Sequence, residues 1–367
     1  MKNALQIGLF GPNCSGGLAL VTVPERWNAS WENNLALAQM ADRYEIECIV
    51  ANARWKGYGG ASNNNLSSFE SITWALGLLA GTKRLNAYAT VHVPLFHPIV
   101  AAKQLATADH VSRGRIGLNI VCGSNQEEFE MFGKEQLEHD LRYAYGAEWW
   151  EIVQRIWTSD EPFSYDGQFF TLKDVIGSPH PYGDRVIPMM NAGASPAGRG
   201  FAIRNSDFHY DFCRRPEDHV ERIQETKARA QALGRTIEVW TPIAVVCRAT
   251  EREADDYVRH CLENADWAAL ERRNAILRDN PKGSQSQSPE TAKEIRDREH
   301  ARAVIGRSHY TITGNPDQVA RELARLHGVG YTGVAIGFVN YLDDLPLFAQ
   351  EVLPRLAKMG LRQQEFV

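Results

Sequence analysis

The chain alternates repeatedly between short apolar runs that favour strands and longer segments with helical periodicity. Eight strand-like runs can be counted, at 5–10, 46–51, 85–93, 116–122, 186–192, 208–213, 237–247 and 331–338. The helical patterns lie at 31–42, 68–80, 98–112, 137–157, 195–205, 216–233, 251–264 and 315–327. Such alternation is typical of βα units around a parallel sheet. Eight units without a linker predict the α/β class and a single (β/α)8 TIM-barrel domain over 1–367, rather than an open doubly wound sheet.

Two segments are too long to be simple connections and predict insertions into the barrel. One follows the fourth strand, at about 124–185, and contains FSYDGQFFTL, in which Asp166-Gly167 predicts a hairpin turn. The other precedes the eighth strand, at about 266–309, and contains the polar stretch NPKGSQSQSPE, which cannot bury itself. This second insertion can be interpreted either as a mobile lid over the barrel mouth or as a surface loop without a function.

Composition limits the partners of this chain. The formal net charge is −5 and the isoelectric point is near 6.1, so nothing draws the chain to nucleic acid or to an anionic membrane surface. No apolar run approaches the ~18 residues of a membrane-spanning helix. The six cysteines are scattered without paired motifs, which is typical of reduced core residues. We therefore expect a cytoplasmic protein with no nucleic-acid or membrane partner.

Several polar side chains interrupt the predicted strands, near the strand ends where TIM barrels build their active sites. Asn119 stands inside RIGLNIVCG, where an unpaired buried amide would cost about 1–3 kcal/mol. Two further polar residues, Thr90 and His92, stand in AYATVHVP, and Arg54 directly follows IVANA. If they are buried, each of them also needs a polar partner. Each can be interpreted either as a satisfied core residue or as a ligand contact, and for a lone histidine the core role is the commoner one.

A second candidate site follows the fifth run, where AGASPAGRG leads from a loop into a helix. The N–H groups of a helix N-terminus and the hydroxyl of Ser195 together suit a phosphate, although Ser195 before Pro196 is also a good helix cap. The glycine-rich GYGGAS fits neither a dinucleotide fingerprint nor a P-loop. HExxH, CxxC and GxSxG are absent from the sequence, so we predict neither a metal site nor a serine hydrolase.

Four ordered motifs resemble one family: SRGRIGLNIVCG, the glutamate nine residues after Asn119, LEHDLRYAYGAEWW and NAGAS. They resemble the bacterial-luciferase-like flavin monooxygenases, nearest to the branch of the pyrimidine oxygenase and of the alkanesulfonate and dimethyl sulfone monooxygenases. The likeness runs from Gly8 to about Cys213 and resumes weakly in TGNPDQVARELARL. It implies FMN as cofactor and O2 as co-substrate, with the flavin lying across the strand ends.

The resemblance also implies roles for individual residues. By matching motifs, Thr90 and Asn119 would border the oxygen site, where their donors could stabilise developing negative charge. We add His92 as a candidate catalytic residue. The implied cofactor contacts are Ala53, Arg54, Asn119 and Glu128 along the flavin, and Arg142, Tyr143 and Ser195 at its ribityl and phosphate end.

The substrate is less well defined by the sequence. Trp55, Tyr58, His92, Phe96 and His97 could form an aromatic, partly polar pocket, which would suit an N-heterocycle and an organosulfur compound about equally. The same aromatic residues are also ordinary core residues. His92 and His97 depart from the family pattern, so the substrates of relatives should not be transferred to this chain.

The missing dinucleotide fingerprint and the resemblance together predict a two-component monooxygenase. Reduced FMN would come from a separate, transiently bound NAD(P)H:flavin reductase, and oxygenation of a small organic substrate could open a ring or cleave a C–N or C–S bond. A homodimer or homotetramer is expected. Two alternatives stay open: a deazaflavin-dependent oxidoreductase that transfers hydride without oxygen, and a non-catalytic flavin-binding partner subunit.

Overall fold

The structure is a computed structural model that describes residues 3–123, 125–278 and 293–363. Its strands are β1 Gln6–Phe10, β2 Cys48–Val50, β3 Asn86–His92, β4 Ile116–Val121, β5 Phe163–Asp166, β6 Thr171–Val175, β7 Met189–Asn191, β8 Phe208–Tyr210, β9 Glu238–Cys247, β10 Tyr310–Gly314 and β11 Gly333–Gly337. Its helices are α1 Trp31–Arg43, α2 Ser71–Ala80, α3 Pro98–Ser112, α4 Gln126–Met131, α5 His139–Thr158, α6 Pro196–Asn205, α7 Val220–Ala232, α8 Glu251–Glu263, α9 Trp267–Arg278, α10 Lys293–Val304, α11 Pro316–Val329, α12 Tyr341–Leu347 and α13 Leu353–Lys358.

Eight parallel strands close into a barrel. β1 pairs with β2, β2 with β3, β3 with β4 and β4 with β7. The ring continues from β7 to β8, β9 and β11, and β11 pairs back to β1. These strands are the eight runs that the sequence predicts, with helices between them, so the predicted (β/α)8 fold is confirmed.

Large aromatic side chains fill the interior of the barrel. Tyr88 from β3 and Trp240 from β9 belong to one buried cluster with residues of the other strands. Glycines make room for them: a Cβ on Gly117 would lie 2.3 Å from the ring of Tyr88, and a Cβ on Gly333 would lie 2.2 Å from the ring of Trp240. Because the interior is packed, a ligand site has to lie at a mouth of the barrel.

The first predicted insertion separates β4 from β7. It holds α4, α5 and the β5–β6 hairpin that the sequence predicts. The hairpin turns through 167–170, where Gly167 N donates to the carbonyl of Phe170 at 2.9 Å. The buried carboxylate of Glu148 on α5 accepts hydrogen bonds from the backbone N–H groups of Phe169 and Phe170. This contact ties the hairpin to the outer helix layer.

The second predicted insertion separates β9 from β11. Over about 266–309 it contains α9 and α10, and it is followed by β10, a strand that the sequence pattern did not predict. β10 pairs with the C-terminal half of β9, with Tyr310 opposite Ile243 and Gly314 opposite Cys247. The run YTITG is too short and too polar to stand out as a buried strand. The stretch NPKGSQSQSPE lies outside the described residues.

The six cysteines are all buried and free, as the sequence predicts. Burial raises the pKa of the Cys14 and Cys122 thiols to about 12. They therefore stay protonated and unreactive near neutral pH. Among the described helices, none combines the length and the apolar character needed to cross a bilayer.

Candidate active site

A cavity of about 320 Å³ opens where the C-terminal ends of the barrel strands meet. Sites for small molecules typically measure about 300–1,000 Å³, and in TIM barrels they lie at this face. The cavity is therefore the candidate active site. Of the residues that the sequence singled out, its wall contains Ala53, Arg54, Tyr58, Thr90, His92, Asn119, Arg142, Tyr143 and Ser195.

One part of the wall, the Ser195 end, is suited to an anion. Ser195 caps α6, and its hydroxyl accepts a hydrogen bond from Gly198 N at 3.1 Å. Gly198 is needed there, because a Cβ would lie 2.6 Å from the Tyr143 hydroxyl and 2.7 Å from the Cα of Gly193. Burial raises the pKa of Tyr143, so its phenol keeps a proton that it can donate. With Arg142 beside it on α5, this helix N-terminus has the donors and the positive charge that suit a phosphate.

A second part of the wall carries buried polar atoms without partners. Asn119 Nδ2 donates to Thr90 Oγ1 at 3.0 Å, and Thr90 donates in turn to the carbonyl of Ala51 at 2.5 Å. Asn119 Oδ1 and His92 Nδ1 are buried and have no hydrogen-bond partner among the described residues. Each such atom costs about 1–3 kcal/mol. A polar ligand at this place would remove that cost, which favours the ligand-contact interpretation of Asn119.

His92 lies in the wall as a neutral imidazole. Its burial, together with the charge of Arg54, lowers the pKa of His92 to about 3. Since the unfolded value is near 6.5, the unfolded chain binds the proton more readily, and stability falls as pH drops from about 6.5 towards 3.

NMR titration of the imidazole nitrogens should therefore show no protonation of His92 between about pH 5 and 8. The spectrum of His92→Gln assigns the resonance. Glu128 Oε2 lies 3.9 Å from His92 Nδ1, so a midpoint near the ordinary histidine value would show that this carboxylate or solvent stabilises the protonated ring, and would contradict a neutral imidazole.

Glu128, on α4, lies behind the wall rather than on it. The side chain is fully buried, and Oε1 lies 3.3 Å from Arg54 Nη2. The same oxygen accepts hydrogen bonds from the N–H groups of Trp55 and Lys56 at 3.0 and 3.3 Å. The carboxylate thus holds the loop after β2 and neutralises Arg54. In this position Glu128 can act on a bound ligand through Arg54, and the direct flavin contact implied by the resemblance stays a prediction.

The predicted substrate residues are divided between two neighbouring cavities. Tyr58 lines the main cavity, with the Arg54 guanidinium 4.8 Å from its ring centroid. Trp55 and Phe96 line a smaller cavity of about 170 Å³, which shares Arg54 with the main one. His97 lines neither, because it is exposed and caps α3.

The wall also contains residues that the sequence did not point to, among them Phe10, Arg273, Arg307 and His309. Phe10 ends β1, where an apolar residue is expected to be core. The other three come from the second insertion, on α9 and in the loop before β10. In the sequence they stand among charged and polar neighbours, as on a solvated surface. Only the folding of the insertion over the barrel mouth identifies them.

Known proteins share this sequence pattern over nearly its whole length. A family model described as luciferase-like monooxygenase matches residues 5–333. The FMNH2-dependent dimethylsulfone monooxygenase of Pseudomonas putida is 28% identical over 363 residues, which are 98% of this chain and 97% of the relative. Pyrimidine monooxygenase RutA of Escherichia coli is 27% identical over 358 residues, which are 95% of this chain and 96% of the relative.

Solved structures share the fold. Riboflavin lyase, crystallised with a modified FMN and riboflavin, superimposes with a TM-score of 0.85 at 20% identity, over 99% of this chain and 93% of its own. Long-chain alkane monooxygenase gives a TM-score of 0.85 at 19% identity, over 100% and 94% of the two chains. At such identities the likeness speaks for the barrel architecture alone.

Proposed function

The chain belongs to the luciferase-like monooxygenase family, and from that premise we propose that it is the oxygenase component of a two-component FMNH2-dependent system. When bound, FMNH2 supplies two electrons to O2, so that one oxygen atom enters a small organic substrate, the other leaves as water, and FMN is released oxidised. The homology of this chain to an FMNH2-dependent monooxygenase, over nearly its whole length, supports this activity over the deazaflavin and non-catalytic alternatives.

The observation that carries the proposal is that one cavity combines an anion site with buried, unpaired polar atoms. The phosphate of FMN would bind at the Ser195 end, between the N-terminus of α6, the Tyr143 hydroxyl and Arg142. The carbonyls of Leu137 and Gly123 orient the Arg142 guanidinium, at 2.6 and 3.2 Å. The residues present therefore fit a ligand that has a phosphate and a polar heteroaromatic ring.

Asn119 and Thr90 have different roles in this proposal. A hydroxyl has one proton to donate, and that of Thr90 is committed to the carbonyl of Ala51. Thr90 can then only accept from Asn119, which makes it a positioning residue. The second Nδ2 proton of Asn119 is the donor that would stabilise negative charge as oxygen is reduced. This refines the expectation from the sequence, in which both side chains donate.

The substrate class and the flavin reductase are the finer parts of the proposal, and less specific sequence features support them. We extend the proposal to an N-heterocycle or an organosulfur compound, oxygenated with ring opening or with C–N or C–S cleavage. A separate NAD(P)H:flavin reductase would deliver reduced FMN through a transient complex. The lack of a dinucleotide fingerprint in the sequence supports this division of labour.

A coupled assay under isotope-labelled dioxygen tests the proposed function. The protein, FMN, a flavin reductase and NADH are combined with a panel of N-heterocycles, sulfones and sulfonates. We expect one labelled oxygen atom in the product of at least one compound and label in the released water. Conversion of all FMNH2 to hydrogen peroxide with every compound would contradict the proposal. Turnover that needs a reduced deazaflavin in place of FMNH2, and that proceeds without oxygen, would support the deazaflavin alternative.

Replacing Ser195 with alanine should weaken FMN binding about tenfold, because one hydrogen bond to a charged phosphate is lost. Ser30→Ala is a matched control: Ser30 caps α1 with the same geometry, accepting from Asn33 N at 3.1 Å. Both variants should lose about 1 kcal/mol of folding stability. Only Ser195→Ala should raise the Kd for FMN, measured by quenching of flavin fluorescence. Equal FMN affinity in the two variants would argue against a phosphate site at Ser195.

A further inference from the structure

Three guanidinium groups meet around Tyr58 in the cavity wall, and we call Arg54, Arg273 and Arg307 the arginine cluster. The Cζ atoms of Arg54 and Arg307 lie 4.8 and 5.8 Å from the centroid of the Tyr58 ring. Arg273 Nη1 donates to Ser308 Oγ, beside Arg307, at 3.3 Å. The cluster therefore joins the loop after β2 to both ends of the second insertion.

Carboxylates of the described residues balance only part of the charge of the arginine cluster. Glu128 pairs with Arg54, but within the described residues no ion pair involves Arg273 or Arg307 and no acidic side chain lines the cavity. Arg307 is only 5% exposed, and its hydrogen bond goes to the neutral amide oxygen of Asn65 at 2.5 Å. A buried charge without a counter-ion is costly. The cavity is thus left with an excess of positive charge that a bound anion would neutralise.

The charges of the arginine cluster shift the pKa values of its titratable neighbours. Burial by itself would raise the pKa of Tyr58, but the charges of Arg54, Arg307 and Arg273 lower it. Burial and the like charges of its neighbours lower the pKa of Arg273 to about 10, which still leaves it charged at neutral pH. Burial and the same arginines hold the pKa of His309 well below its usual range. The cluster therefore creates a positive potential that extends over this part of the wall.

The backbone that presents Arg307 is held in an unfavourable conformation. Arg307 and Ser308 have φ values of 51° and 70°, in the left-handed region. For residues with a Cβ this conformation costs roughly 1–2 kcal/mol each. Such strain persists only where the surrounding structure imposes it, and it is concentrated at ligand sites.

We propose that the arginine cluster binds a carboxylate or sulfonate group of the substrate, so that the enzyme oxygenates small organic anions in preference to neutral heterocycles and sulfones. Guanidinium groups bind such oxygens through paired, charge-assisted hydrogen bonds. The inference rests on the proposed function, because it needs the FMN phosphate to bind at the Ser195 end. The first two relatives named above are named for dimethylsulfone and for a pyrimidine, and neither name includes a carboxylate or a sulfonate, so the preference would distinguish this chain from them.

The flavin is the other source of negative charge in the cavity. Arg142 and the N-terminus of α6 form a separate phosphate site, so the arginine cluster is not required there. The reduced flavin ring also carries a negative charge near neutral pH and would neutralise one guanidinium. Since Glu128 balances only Arg54, a charge remains for the substrate.

Ligand pairs that differ in charge but hardly in shape test the inference: methanesulfonate against dimethyl sulfone, and nicotinate against nicotinamide. Calorimetry on the FMN-loaded wild type and on the apoprotein measures, for each pair, the ratio of the Kd of the neutral compound to the Kd of the anion. In at least one pair this ratio should be about ten or more, as expected for one charge-assisted contact. Arg307→Gln and Arg273→Gln should each bring that ratio close to one. Arg272→Gln is the matched control, because Arg272 is the neighbour of Arg273 on α9 but pairs with Glu127 outside the cavity. It should leave the ratio unchanged.

Separate titration with FMN distinguishes the outcomes. A wild type that binds FMN but prefers neither anion would overturn the inference and leave the proposed function intact. So would an anion preference that survives both Arg307→Gln and Arg273→Gln. Loss of FMN binding in these variants, with the anion preference of the apoprotein intact, would assign the cluster to the cofactor and overturn the inference as well. A wild type that binds no FMN would contradict the proposed function itself.

Discussion

Replacing Asn119 with alanine should uncouple the enzyme. FMNH2 would still be oxidised by O2, but the product formed per FMNH2 should fall about a hundredfold, the usual effect of removing one donor to developing negative charge. Hydrogen peroxide should take the place of the product. FMN affinity should fall by less than about tenfold, because Asn119 supplies only one of several contacts. The measurement is the ratio of product to NADH consumed in the reductase-coupled assay, with peroxide counted separately.

Two further variants test whether the effect belongs to the cavity. Thr90→Val removes the oxygen that accepts from Asn119 Nδ2, so it should uncouple the reaction in the same direction but less severely. Asn86→Ala is the matched control, since Asn86 opens β3 at the opposite face of the barrel and donates to the carbonyl of Glu47. It should leave the ratio unchanged. An undiminished product yield per NADH in Asn119→Ala would rule out the role assigned to this amide.

Replacing Glu128 with alanine should cost about 3–5 kcal/mol of folding stability, the range for breaking a buried ion pair from one side. The change would leave the Arg54 guanidinium buried without its carboxylate. It would also leave the N–H groups of Trp55 and Lys56 without their acceptor. Urea denaturation measures the loss as a shift of the unfolding midpoint at unchanged slope.

Glu127→Ala is the control for this experiment because it removes the same side chain at the adjacent position. Glu127 is partly exposed and pairs with Lys56 and Arg272 at the surface, where such pairs contribute less than about 1 kcal/mol. Similar losses in the two variants would show that Glu128 does not bear on the stability of the loop after β2.

The barrel was predictable because its signal is repeated along the chain. Each parallel strand is covered on both faces and is therefore mostly apolar, and helices alternate with the strands along the chain. A polar residue inside such a run stands out, which is how Asn119 and Thr90 were found. Ser195 was visible for a different reason, since serine followed by proline marks the start of a helix.

The arginine cluster was not predictable for an equally physical reason. Arg273 and Arg307 are separated from Arg54 by more than 200 residues in the sequence and meet it only when the second insertion folds over the mouth. Charged residues in a polar segment look like solvated surface until their burial is known. Glu128 illustrates the converse. Its position in a family motif was recognised from the sequence, but the direction of its side chain depends on the loop after β2, whose N–H groups it binds.

The most direct test of the central claim is the structure of the protein crystallised with FMN. We predict the phosphate within hydrogen-bond distance of Ser195 and the N-terminus of α6, the ring beside Asn119, and the arginine cluster free of the phosphate. A phosphate bound between Arg273 and Arg307, or a flavin outside the cavity at the strand ends, would contradict the claim that this cavity holds the cofactor at one end and the substrate at the other.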